Sequence, residues 1–126
     1  MPWPMLPVYD NLLWVSAVSA ANTAVTLTLP AAGVGLFHYI THIDITRATS
    51  FAVVGSATLT DTTTNLPGNP QWLLGNALAV GSQAPDVRID LSFPMRSSVA
   101  NTATTIAAPA GGLGVITEIN VAYFVW

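Results

Sequence analysis

Thr26-Leu27-Thr28-Leu29-Pro30-Ala31-Ala32-Gly33-Val34-Gly35 runs into Ile40-Thr41-His42-Ile43-Asp44-Ile45, and this stretch decides the fold. Val25, Leu27 and Leu29 alternate with Thr26 and Thr28, so apolar side chains fall on one face of a strand and hydroxyls on the other. A Pro-Ala turn with two glycines follows, then a longer alternating run. The unit recurs about 76 residues later, as Thr104-Thr105-Ile106-Ala107-Ala108-Pro109-Ala110-Gly111-Gly112-Leu113-Gly114 before Ile116-Thr117-Glu118-Ile119-Asn120-Val121. Each copy reads as strand, tight hairpin turn, strand, with glycines supplying the positive φ angles that such turns need. Two copies this far apart do not make a solenoid. They fit equivalent hairpins in the two halves of a sandwich.

Working outward, the chain resolves into short alternating runs near 12–18, 23–29, 36–47, 51–60, 71–80, 86–93, 98–107 and 115–125. Val87, Ile89, Leu91 and Phe93 alternate with Arg88, Asp90 and Ser92. Val115, Ile119, Val121, Tyr123 and Val125 share a face. No segment carries a helical period, and Thr and Val suit the pleated, half-buried surface of a strand. The expectation is an all-β, jelly-roll-like sandwich of about eight strands over residues 11–126. Residues 1–10 read as an extended arm, because Pro2, Pro4 and Pro7 exclude helix. The arm also carries Trp3, Met5, Leu6, Val8 and Tyr9, and an apolar extended segment needs a surface to lie on. Residues 61–70, with Pro67-Gly68 and Asn69-Pro70, read as the longest loop.

The 126 residues suffice for one core. Charged residues make up 7% of them, against roughly 25% in an average chain. Lysine is absent, and the three arginines, Arg47, Arg88 and Arg96, do not cluster. With a net charge of −3, this argues against nucleic acid and against anionic lipid as partners. There is no cysteine, hence no disulfide or thiolate chemistry, which suits assembly in a reducing cytoplasm. The first residues lack the basic region of a signal peptide, and no run approaches the roughly 18 apolar residues of a membrane helix.

The search for chemistry returns structural readings. His38, His42 and Asp44 fall on one strand face by parity. Residues four apart on a strand are separated by about 13 Å, too far to share a metal whose ligands lie about 2 Å away. Neither Ser50 nor Ser56 sits in a nucleophile elbow. Asp86 and Asp90, with Arg88 between them, read as a solvated charge stripe. The glycine turns precede strands, not the helix that a phosphate loop requires. The expectation is therefore no enzyme, no cofactor and no metal. Trp72 reads as core or interface packing, with a sugar platform beside the 61–70 loop as the alternative. Phe124 and Trp126 lie opposite Tyr123 and Val125, which makes the last strand apolar on both faces and calls for cover from another layer. Trp3, Leu6, Tyr9, Phe124 and Trp126 are the candidate interface residues.

From Pro30-Ala31-Ala32-Gly33 through His38-Tyr39-Ile40-Thr41-His42-Ile43-Asp44-Ile45, the sequence resembles small structural proteins of tailed bacteriophages. The second Pro-Ala-Gly turn before an aromatic last strand, and the middle segments Asn65-Leu66-Pro67-Gly68-Asn69-Pro70 and Gly75-Asn76-Ala77, extend the likeness from about residue 22 to the end. The proline-rich arm is not part of that pattern. The resemblance implies a jelly-roll-like virion protein, closest to the trimeric decoration, or cement, proteins of the capsid exterior. Its implied partners are two further copies and the major capsid protein. A carbohydrate-binding receptor module of a head fibre or tail, using Trp72, is the alternative. A cupin-like metalloenzyme using His38 and His42 is a third and weaker one.

Overall fold

A computed structural model describes residues 12–49, 58–59, 62–75 and 87–126. Those residues form nine strands: β1 (Leu13–Val18), β2 (Val25–Leu29), β3 (His38–Thr49), β4 (Thr58–Leu59), β5 (Thr62–Thr64), β6 (Leu73–Leu74), β7 (Val87–Arg96), β8 (Thr104–Ala108) and β9 (Val115–Val125). No helix occurs among the described residues. Every ladder is antiparallel. One sheet has the order β1-β9-β3-β7, a second β2-β8-β5, and β4 pairs with β6. The all-β sandwich expected from the alternation is the observed class.

The inner faces meet in one core. Val25, Leu27 and Leu29 of β2 and Ile106 and Ala108 of β8 face Ile40, Ile43 and Ile45 of β3 and Ile119, Val121 and Tyr123 of β9. Leu66 and Leu74 close it from the flank. Fully burying each large aliphatic side chain contributes about 1.5–3 kcal/mol. Here the local pattern and the tertiary environment agree, since β2 alternates buried and exposed along its whole length.

Four expectations are corrected. The two Pro-Ala-Gly turns are not hairpins. β2 pairs with β8 in one sheet, and β3 pairs with β9 in the other, so each turn carries the chain across the core between sheets. The stretch 61–70 is not all loop, because Thr62–Thr64 joins the second sheet beside β8. The strand expected at 98–107 begins only at Thr104, after a turn at 97–103 that includes Asn101 with φ of 49°. The strand expected at 86–93 runs on to Arg96 through Pro94. The arm at 1–10, Ser50, Ser56, Asp86 and most of the strands expected at 51–60 and 71–80 lie outside the described residues.

The two turns share one backbone. Leu36 N donates to Gly33 O at 3.0 Å, and Val115 N donates to Gly112 O at 3.1 Å. In each turn the third residue has positive φ, 73° at Gly35 and 71° at Gly114. That is the requirement of a type II turn, and glycine meets it without strain. Val34 and Leu113 occupy the outward second positions, exposed at opposite ends of the sandwich.

A bulge sets the faces of β3. Its register against both neighbours breaks between Ile40 and His42, leaving Thr41 as the extra residue. An extra residue inverts the parity of everything after it. His38 and Ile40 therefore point inward, as do Ile43, Ile45 and Arg47, while His42, Asp44 and Thr46 point outward. Opposite the bulge, two steps on β3 are matched by five on β7, from Asp90 to Met95. The residues between Asp90 and Met95 have no ladder partners on β3, and Phe93, which alternates in sequence with Val87, Ile89 and Leu91, is 89% exposed.

Candidate interaction surfaces

The end of the last strand is an aromatic ladder, and its members differ in access. Phe124 is only 4% exposed. Its ring lies parallel to that of Tyr39, 5.1 Å between centroids and 4° between planes. The expected cover over Phe124 is thus supplied within the chain. Trp126 is 65% exposed, with its centroid 6.1 Å from Tyr39. Its backbone is fixed, exchanging bonds of 2.9 and 3.1 Å with Phe37. Arg96 places its guanidinium carbon 4.6 Å from the centre of the Phe37 ring, a cation–π contact. Trp3, Leu6 and Tyr9 lie outside the described residues.

Beside this ladder lies an apolar end. Asn101 accepts from Gly33 N at 3.1 Å through its side chain and donates its own N–H to Leu36 O at 2.9 Å. These bonds bring the 97–103 segment onto the first glycine turn. Val34, Leu36 and Val99 are exposed there, near Trp126, and β1 begins at the same end, with Leu13 opposite Tyr123.

The outer faces of the two sheets carry different chemistry. On the first sheet, Trp14, Ala122, His42 and Asp90 form a row across all four strands. Trp14 is 63% exposed, with its ring centroid 5.4 Å from His42. His42 Nδ1 lies 2.5 Å from Asp90 Oδ1. In the next row, Asp44 Oδ2 is 3.6 Å from Arg88, and Asp44 Oδ1 is buried without a hydrogen-bond partner among the described residues. Asn120 donates to Glu118 at 3.0 Å. On the second sheet, the outward residues of β2 and β8 are Thr26, Thr28, Thr105 and Ala107, and Thr64 and Thr105 join hydroxyls at 2.7 Å. No outward residue of that sheet is charged among those described.

The parity grouping of His38 with His42 and Asp44 does not hold, because the Thr41 bulge sends them to opposite faces. Among the described residues no three His, Asp, Glu or Cys side chains gather as metal ligands. His38 is buried. Its Nε2 lies 2.7 Å from Pro30 O, and its Nδ1 lies 2.8 Å from Thr104 Oγ1. A carbonyl only accepts, so Nε2 carries the proton, and Nδ1 accepts from the Thr104 hydroxyl. Thr104 in turn accepts from Asn65 at 3.2 Å. Asn65 also donates to Val99 O and Thr102 O and accepts from Val99 N. His38 is thus the inner member of a network that ties three loops together.

Arg47 plays the matching part at the other end. It is buried, donating from Nε to Thr117 Oγ1 at 3.3 Å and from a terminal nitrogen to Pro109 O at 3.0 Å. Burial pushes its pKa below the ordinary arginine value, yet a guanidinium stays protonated in proteins. Trp72 packs, partly buried, against the core, in line with its packing reading. From the sequence, Trp14 reads only as apolar bulk beside Trp3, and Arg47 only as one of three unclustered arginines. Both had a signal, since the alternation of Leu13, Val15 and Ala17 turns Trp14 outward, and Ile43, Ile45 and Arg47 share a face. No protein-family model, curated protein or solved structure matches the chain.

Proposed function

We propose that this chain is a capsid decoration protein of a tailed bacteriophage, a jelly roll that binds the outside of the major capsid shell as a trimer and stabilises it. The jelly-roll reading is supported by how the pairings nest. β1 pairs with β9, β2 with β8, β3 with β7 and β4 with β6, as in one long hairpin rolled so that the first three pairs fall in the first, second and first sheets, while the fourth forms a two-stranded sheet of its own. Double-sheet jelly rolls recur in viral capsid and lectin domains.

The observation that carries the function is the apolar end. Val34, Leu36, Val99 and Trp126 stand exposed together in a chain with 7% charged residues. An apolar surface rimmed by Ser98, Asn101 and Thr102 suits burial against protein. In this reading the arm at 1–10 reaches a neighbour from the same end, and Trp3, Leu6, Tyr9 and Trp126 supply the contact. A trimer engages the shell through three such ends, which raises avidity without new contacts. The protein works on the virion exterior after assembly in the host cytoplasm, without catalysis or cofactor.

Two measurements test this. Light scattering of the purified protein at micromolar concentration is expected to give the mass of three chains, and a clean monomer would sink the trimer. Co-sedimentation with mature capsids lacking the protein is expected to saturate, and to weaken about tenfold or more on deleting residues 1–10. No co-sedimentation of the intact chain would end the decoration reading.

A further inference from the structure

We infer that the outer face of the first sheet is a binding site for a neutral oligosaccharide, centred on Trp14. The inference stands apart from the decoration reading, since it uses a different face of the sandwich. It also moves the sugar platform away from Trp72, whose ring packs on the core.

The face combines what a sugar needs. Trp14 presents an open indole, 63% exposed, leaning on His42 over the small Ala122. The apolar face of a pyranose ring stacks on such a surface, as other apolar groups do on tryptophan. Polar side chains follow in two rows. His42 is oriented through Nδ1 by Asp90, so its Nε2 is the nitrogen offered to a ligand. Asp90 is itself largely exposed and retains its second oxygen. Asn120 uses its amide nitrogen on Glu118 and keeps its carbonyl oxygen. Ser16 stands directly opposite it, exposed.

Asp44 supplies an independent sign. One of its oxygens is buried with no donor, and the other is 3.6 Å from Arg88, beyond hydrogen-bond length. A buried acceptor without a donor is costly and rare. Rotation of the carboxylate lets a ligand hydroxyl provide that donor. Acceptors dominate the patch, and sugar hydroxyls are good donors to carboxylates. The three carboxylates of Asp44, Asp90 and Glu118 against Arg88 disfavour anionic sugars, phosphate and sulfate. From Trp14 on β1 to Asp90 on β7 there are three strand spacings, about 14 Å. That length takes a short oligosaccharide rather than a single ring.

The test is an array of neutral glucose-, galactose-, mannose- and N-acetylglucosamine-based oligosaccharides probed with the full chain, followed by calorimetry on the strongest binder. Binding of at least one neutral oligosaccharide is expected. Trp14→Ala should weaken it about tenfold or more and Asp90→Asn about threefold or more, while Thr28→Ala on the opposite sheet leaves it unchanged. Circular dichroism checks the fold of each variant. Should Trp14→Ala not fold, Trp14→Tyr with Asp90→Asn decides the matter. An array with no neutral binder, a preference confined to anionic sugars, or affinity indifferent to both variants overturns the inference.

Discussion

At one end of the sandwich the carbonyl of Pro30 is held by the imidazole of His38. At the other the carbonyl of Pro109 is held by the guanidinium of Arg47. Both tethers come from β3, one at its start and one near its finish, and both are buried. The turns they hold have nearly the same glycine φ angles, 117° and 73° at Gly33 and Gly35, 110° and 71° at Gly112 and Gly114. Backbone shape is therefore set by glycine, and the tether is interchangeable in chemistry. His38 connects through Thr104 and Asn65 to three loops, and Arg47 binds its own turn and Thr117 among its partners.

The sharpest way to break this symmetry is at the cationic end. Arg47→Ala leaves the Pro109 carbonyl without this donor and empties a large buried volume, so a loss of about 3–5 kcal/mol is expected in urea unfolding. A loss under about 1 kcal/mol would mean that the turn is held by glycine alone. His38→Ala follows, at about 2–4 kcal/mol. Its link through Thr104 and Asn65 predicts faster amide exchange at Val99, a proton given to Asn65, and little change in the Gly112 turn. Exchange rising equally at both turns would contradict separate tethers.

Next comes the position where one copy has a side chain and the other has none. Gly111 corresponds to Ala32 when the turns are aligned. A Cβ at Gly111 would collide with Val115, coming within 2.9 Å of its Cβ. Gly111→Ala should therefore cost about 1–3 kcal/mol, and Ala32→Gly under about 1 kcal/mol, as read by shifts in melting temperature. Equal costs would refute the asymmetry. Smallest of all, Phe93→Ser on the β7 bulge should change stability by no more than about 0.5 kcal/mol.

The alternation of β2, and of β9 as far as Val121, was legible because one face is buried there, and local pattern then reports tertiary position. The grouping of His38 with His42 failed for a physical reason. A bulge costs one residue and leaves no mark in composition, yet it inverts parity beyond Thr41. The turns were legible as turns but not as crossings, since glycine φ fixes the bend and the partner of β2 is β8, far along the chain. Thr62–Thr64 was hidden among turn-forming neighbours, and only pairing with β8 makes it a strand. Of the candidate contact residues, the open tryptophan at 126 was legible from the two-sided apolar strand. The closure of Phe124 was not, because it depends on Tyr39 standing opposite across the ladder.

The β7 edge has a consequence for symmetry. Its residues between Asp90 and Met95 have no ladder partners on β3, and Pro94 has no N–H to offer a neighbouring strand. The first sheet can therefore be extended only along β1. Two copies joined through β1 form a closed pair, and a borrowed strand on β1 ends the sheet there. Neither arrangement propagates, because propagation needs β1 of one molecule to meet β7 of the next. A three-fold ring cannot be closed by joining β1 to β7, and a fibre cannot grow by continuing the first sheet from one molecule to the next.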